Sequence, residues 1–201
     1  LSLAPPVSAE GDRVTISSAK EFYALVQNCT RDVWSQGVTV ELTADLDLSG
    51  SDFQPIPIFQ GTFHGNGPTI RGLTYDHKGS TLGLFRTLTE SAVVEGLCVE
   101  GLLEPQGSAS QLGLLAGENY GAIRSCSAKG TVSGQEDVGG LVGVIGETGR
   151  LEGSSSQVQN SGVTTVGGIA GQNLGTLARC LNPGVPNPYH DQSVPPTTGC
   201  L

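Results

Sequence analysis

From Leu112 to Asn182 the chain repeats one order of apolar, small and polar positions three times. Leu112-Gly-Leu-Leu-Ala-Gly117, Val138-Gly-Gly-Leu-Val-Gly143 and Val166-Gly-Gly-Ile-Ala-Gly171 open the three units. Each unit passes a glycine-marked turn at Gly121, Gly149 or Gly175 and reaches an aliphatic residue two positions on, at Ile123, Leu151 or Leu177. Three residues later stand Cys126, Ser154 and Cys180. Gly121 and Gly139 lie 18 residues apart, as do Gly149 and Gly167, and only the turn from Gly143 to Gly149 is longer than its counterparts, by two residues. A unit of this size cannot bury its apolar face alone and must stack on the next, so the pattern predicts a solenoid. Leu115, Leu141 and Ile169 are then expected one above another in its interior.

The residues ahead of the repeats carry shorter patterns. Arg13 to Ser17 alternates as a short strand does. Ser18 offers an N-cap with Glu21 three residues on, the two halves of a capping box. Phe22, Leu25, Val26 and Cys29 follow at i, i+3, i+4 and i+7, which predicts an amphipathic helix over about 19–29. At the head of a solenoid such a helix covers the open end of the sheets, whose unpaired edges otherwise invite aggregation.

From Val38 to Leu48 apolar residues alternate with Thr39, Glu41, Thr43, Asp45 and Asp47, which predicts one half-buried strand carrying all five on its outer face. Phe59 to Gly67 predicts a strand closed by an Asn-Gly turn, and Thr69 to Leu73 a further strand. Leu82-Gly-Leu-Phe85 and Val94-Glu-Gly-Leu97 fit the repeat frame, with Val94 in the column of Ile123 and Leu97 in that of Cys126. A weaker copy therefore precedes the three strong ones. After Leu181 the prolines of Asn182-Pro-Gly-Val-Pro-Asn-Pro188 and Pro195-Pro196 cannot continue a central strand. The expected organisation is a loose lead-in over 1–12, one β-helix domain over 13–182 with repeats over about 82–182, and a Pro-rich tail over 183–201.

Composition narrows the class. Glycine supplies 30 of 201 residues, about twice the usual share, and charged residues fall to 14%. The regular aliphatic pairs separate this chain from disordered Gly-rich sequences, which lack apolar residues to bury. A net charge of −9 repels a phosphate backbone and argues against nucleic acid as a partner. No run reaches the roughly 18 apolar residues of a membrane span. There is no methionine, so Leu1 reads as a processing site or a boundary within a longer chain, and neither a signal peptide nor an anchor is read here. Five cysteines are an odd count, and no disulfide framework is read from them.

The ordered series resembles a known family. Ala44-Asp-Leu-Asp-Leu48, the Phe59 to Leu73 stretch and Leu82-Gly-Leu-Phe85 are similar to the opening coils of bacterial surface proteins with GLUG repeats, and the Gly-Gly-Leu-Val-Gly-type units are similar to the repeats themselves. Together they cover about Val14 to Asn182. The resemblance implies an all-β solenoid, a right-handed parallel β-helix of the pectate-lyase-like class, extracellular or on the bacterial cell surface and often part of a longer chain. Similar repeats accompany immunoglobulin A metallopeptidases and predicted adhesins. Two positions depart from the pattern: His64 stands where Asp or Asn is common, and Pro68 follows Gly-Asn-Gly where a longer side chain is common.

Stacking coils about 4.8 Å apart turns sequence columns into ladders, so single positions can be judged. Leu97, Cys126, Ser154 and Cys180 form an inward ladder. Two coils, about 9.6 Å, separate Cys126 from Cys180, too far for a disulfide, so both are expected as free thiols packed in a narrow core. Cys98 is expected to point outward and, where the turn before it leaves it accessible, to react first with an alkylating agent. Whether Cys29 and Cys200 pair is left open.

Glu95, Arg124, Glu152 and Ala178 form an outward ladder. A lyase would want such a display, a basic side chain to take a proton and carboxylates to hold calcium. An arginine flanked by carboxylates is instead held protonated and makes a poor base, so a surface charge ladder is the expected role. Asp45 and Asp47, with Glu41 further along, could run glycoside hydrolysis or bind calcium, but about 7 Å apart on one strand they project in parallel with no cleft between them. His64, His77 and His190 share no metal-ligand spacing, and no His-Glu-x-x-His is present. Trp34, Tyr75, Tyr120 and Tyr189 could stack on sugar rings, although the sequence does not gather them.

The resulting expectation is a non-catalytic module of an extracellular or bacterial cell-surface protein, used for adhesion, ligand binding or spacing. No catalytic, cofactor-binding or metal-binding residues are assigned and no cofactor is called for. A glycan or a host surface protein is the expected partner, with other domains of a longer polypeptide alongside. The alternatives are a carbohydrate-active β-helix enzyme, lyase or hydrolase, and an accessory domain of a surface peptidase, since fold alone does not choose among functions.

Overall fold

In the computed structural model, which describes residues 12–182, the chain winds into a parallel β-solenoid of about six turns behind one helix. Four parallel sheets run along it. The longest has seven strands in the order Arg13–Ile16, Thr39–Leu42, Thr62–His64, Val93–Glu95, Ala122–Arg124, Arg150–Glu152 and Thr176–Ala178. Two sheets have five strands each, and a three-stranded sheet of Ser110–Leu112, Glu136–Gly139 and Thr164–Gly167 closes the repeat region.

The strands are short because each coil must turn several corners, and one residue column shows how. After the long sheet, Gly96, Ser125, Gly153 and Arg179 all sit in the left-handed region, with φ of 62°, 52°, 58° and 54°. The residues that follow them, Leu97, Cys126, Ser154 and Cys180, are all buried. The expected inward ladder is thus set by a corner that repeats from coil to coil.

Leu115, Leu141 and Ile169 stack as predicted. All three are fully buried, and their backbones join directly, Leu115 N–H donating to the Leu141 carbonyl and Leu141 N–H to that of Ile169, each at 2.9 Å. The interior is bulkier towards the N-terminus, where Phe59, Phe63 and Phe85 pack with ring centres 5.3–6.1 Å apart. The helix, Ala19–Asn28, buries Phe22, Leu25 and Val26, and Phe22 stacks on Phe53 with ring centres 6.4 Å apart. Its capping box is displaced by one residue: Ser18 Oγ accepts from Glu21 N–H as expected, but the Glu21 carboxylate accepts from Ser17 N–H and Ser17 Oγ.

Two expectations need correction. Val38 to Leu48 is not one strand: Thr39–Leu42 belongs to the long sheet, Leu46–Asp47 to a five-stranded one, and the chain turns between them. Val38, Val40, Leu42, Leu46 and Leu48 are buried nonetheless, because the corner preserves the in-and-out alternation that sequence can read. Glu41 therefore lies on a different sheet from Asp47. Cys98 is not an exposed thiol, being 4% exposed and disulfide-bonded. Cys126 is a free, buried thiol whose burial pushes its pKa up to about 12, and Cys29 is likewise free, buried and raised to about 12, which removes it from any pairing with Cys200. Cys180 is buried with its Sγ 3.6 Å from the Leu151 carbonyl. Residues 1–11 and 183–201, including His190, Tyr189, Cys200 and the Pro-rich tail, lie outside the described residues.

Candidate functional site

Along the long sheet each strand turns its central residue inward, Val40, Phe63, Val94, Ile123, Leu151 and Leu177 in successive coils. The residue after it faces out, so Glu41, His64, Glu95, Arg124, Glu152 and Ala178 form one outward row. The expected ladder of Glu95, Arg124, Glu152 and Ala178 is present in that register and continues two coils further, through His64 to Glu41.

Ion pairs tie the row together. Arg124 donates to Glu95 Oε1 at 2.6 Å. Glu152, its other neighbour in the row, is held by Arg150 at 2.6 Å and Arg179 at 3.3 Å. His64 lies between two carboxylates, its Nδ1 2.9 Å from Glu41 and its Nε2 3.9 Å from Glu95. Glu41 also accepts from Arg13 at 2.9 Å and from Asn66 at 2.7 Å. Beside these groups His64, Asn66, Gly67, Glu95 and Gly96 line an open depression of about 410 Å³. The Asn66 hydrogen bond, with help from His64 and Arg13, holds Glu41 below the usual carboxylate range, and the Arg150 hydrogen bond with the charges of Arg150, Arg179 and Arg124 does the same for Glu152.

These depressed values set an acid response. A carboxylate whose folded pKa is lowered contributes stability above its unfolded pKa and loses it as pH falls through the folded value. The melting temperature should therefore fall between pH 5 and pH 3, by about 2–4 °C for each carboxylate if each network contributes about 1 kcal/mol. Glu41→Gln and Glu152→Gln should each flatten the profile. Thermal melts at stepped pH decide it, and a wild-type profile unchanged by either substitution would refute the assignment.

The other sequence candidates do not join this row. Asp45 accepts from Thr69 N–H at 2.8 Å and from Arg71 at 3.3 Å, and Asp47 accepts from Ser49 N–H at 2.9 Å. Ser49 holds Asp47 below the usual carboxylate range. Asp45 thus ties its coil to the next one, and Asp47 braces the turn that follows it. His77 lies 3.1 Å from Asp52 in a separate exposed cluster. Trp34 packs against the core, and the buried Tyr75 hydroxyl donates to the Lys78 carbonyl at 2.8 Å, whereas Tyr120 is 37% exposed.

A family model described as the GLUG motif matches residues 108–133, the coil that contains Leu115 and Ile123. The chain carries a GLUG motif within its parallel β-helix, and the stacked coils on either side fit a GLUG-repeat protein. Halomucin from Haloquadratum walsbyi is 35% identical to the chain over 137 residues, covering 60% of this chain and 2% of halomucin. A protein of Evansella cellulosilytica, provisionally named a Gly-rich membrane protein, is 34% identical over 96 residues, covering 45% of this chain and 11% of that one. The chain therefore spans a small part of the curated relatives it matches. Among solved structures, a chain from Bacteroides ovatus provisionally named an immunoglobulin A1 protease superposes with a TM-score of 0.66, covering 87% of this chain and 57% of that one. At 18% identity that likeness shows a shared fold.

Sequence reasoning missed Glu41 and His64 as members of the row because the opening coils differ in length from the later ones. A signal was nevertheless present: His64-Gly65, Glu95-Gly96 and Glu152-Gly153 share a polar residue and a glycine at the same corner.

Proposed function

We propose that this β-helix is a non-catalytic module of a surface-exposed protein, a rigid spacer that binds extended ligands along the outer face of its longest sheet. The observation that carries this reading is the ion-paired row from Glu41 to Glu152, in which each candidate base or acid is already engaged. Glu41 has three donors around it, Arg124 is bonded to Glu95, and Glu152 lies between two arginines. An acid, a base and a receptive gap are needed together for hydrolysis or elimination, and this face instead presents neutralised pairs over about 19 Å of stacked strands. A long, stiff, repetitive surface suits extended ligands and partner proteins, with a glycan or a host surface protein as the ligand class. The names of the relatives, a halomucin and a membrane protein, support a setting at the cell surface.

The experiment is a turnover and binding screen on acidic and neutral polysaccharides, with and without calcium. The expected outcome is retention of a polysaccharide with no release of unsaturated or reducing ends. Release that disappears in Arg124→Ala, Asp45→Asn or Asp47→Asn, while each variant still melts cooperatively, would replace this reading with a carbohydrate-active enzyme.

A further inference from the structure

The one long turn of the repeats builds a groove at a site away from the charged row. In the Gly146-Glu147-Thr148-Gly149 turn, Thr148 Oγ1 donates to the Tyr120 carbonyl at 2.7 Å. Gly146 has no side chain where a Cβ would come within 2.2 Å of Tyr120 Cδ1, so the ring lies against bare backbone. The turn at Thr89 and Glu90 approaches from the coil before. Together Thr87, Thr89, Glu90, Tyr120, Glu147 and Thr148 line an open groove of about 510 Å³. Tyr120 is the one aromatic among the large apolar side chains exposed in the described residues.

Charge decides what fits there. Glu41, Glu95 and Glu152 on the long sheet each face a cationic side chain, whereas Glu90, Glu118 and Glu147 form no ion pair among the described residues. No lysine or arginine lines the groove. Burial, and after it the charge of Glu118, pushes the Tyr120 phenol above its ordinary pKa. The threonine hydroxyls are partly engaged within the fold: that of Thr148 with the Tyr120 carbonyl, and that of Thr89 with the Phe59 carbonyl at 3.4 Å. The unpaired carboxylates can accept from sugar hydroxyls as well, but only a cation also neutralises their charge.

We propose that this groove binds a lysine side chain of a basic partner segment, the Tyr120 ring receiving its methylene stem and charged head and the carboxylates of Glu90 and Glu147 its ammonium group. An aromatic face attracts a cation, and carboxylates beside it add to the attraction. The site is independent of what the long sheet binds, so either reading can fail without the other.

The test follows the Thr89 and Thr148 methyl signals and the Tyr120 ring signals of the whole chain by NMR during titration with Nα-acetyl-lysine amide, the threonine methyls serving as the readout in Tyr120 variants. Nα-acetyl-norleucine amide serves as the uncharged control and methyl β-glucopyranoside as the sugar control. The lysine probe should give saturable shifts that vanish in Tyr120→Leu. They should weaken about two- to fivefold in each of Glu90→Gln and Glu147→Gln, and again in 0.5 M salt. An equal response to the norleucine probe, a response to the glucoside alone, or a lysine response unchanged in both glutamate variants overturns the proposal. Melting temperatures near that of the wild type show that each variant is folded.

Discussion

Leu141→Asp is expected to abolish the folded state. Leu141 is fully buried between Leu115 and Ile169, hydrogen-bonded through its backbone to both neighbouring coils. No lysine, arginine or histidine is buried among the described residues. A carboxylate there must remain charged without a partner or take up a proton, and either course costs several kcal/mol. Domains are stable by only about 5–15 kcal/mol. Stacking makes matters worse, because a coil that cannot form leaves both neighbours with an open edge. Circular dichroism and thermal melting should show loss of cooperative unfolding or insoluble protein. Leu141→Ala, which leaves a cavity without a charge, should cost about 2–5 kcal/mol and still fold. Val163→Asp, at a position 69% exposed, should stay within about 0.5 kcal/mol of the parent. A Leu141→Asp variant that melts like Leu141→Ala would show that the interior admits water or rearranges.

Gly143→Val should be nearly as damaging, for a steric reason. A Cβ at Gly143 would lie 2.5 Å from Gln111 C and from Leu112 N and 2.7 Å from the Gly117 carbonyl oxygen. All three are backbone atoms of the preceding coil, so no rotamer change relieves the contact. The two coils would have to separate and lose hydrogen bonds as well as packing. Overpacking of a yielding core costs about 1–3 kcal/mol, and a rigid backbone on the far side raises that to at least about 3 kcal/mol. Gly107→Ala is the control. Nothing lies within 4 Å of its Cβ position, and only its φ of 79° opposes the change, at about 1–2 kcal/mol. Thermal melts should therefore rank Gly143→Val well below Gly107→Ala, and the reverse order would mean that the coils are not in close contact at Gly143.

The columns were legible in the sequence because stacking converts equal spacing into spatial neighbourhood. Val94, Ile123, Leu151 and Leu177 do pair in that register, and so do Glu95, Arg124, Glu152 and Ala178. Burial follows alternation even where strands break, which is why Val38 to Leu48 gave the right inward residues on the wrong number of strands. A corner that keeps the alternation leaves no mark in a pattern of period two.

Only the tertiary structure decided matters set by side-chain reach and by residues distant in the chain. The register places Arg124 between two carboxylates, but Glu95 takes its hydrogen bond because Arg150 and Arg179 already hold Glu152. Cys98 reads as an outward neighbour of Leu97, yet it is buried and bonded, and disulfide partners carry no spacing rule that a single sequence displays. The two-residue extension before Gly149 was visible as a length. Its consequence, a tyrosine laid across Gly146 and flanked by unpaired carboxylates, exists only once successive coils are stacked. Periodicity therefore fixed the solenoid and the facing of its columns, because those depend on spacing alone. Contacts between coils fixed the ion pairs, the corners and the groove, because those depend on which side chains meet across a gap that spacing does not describe.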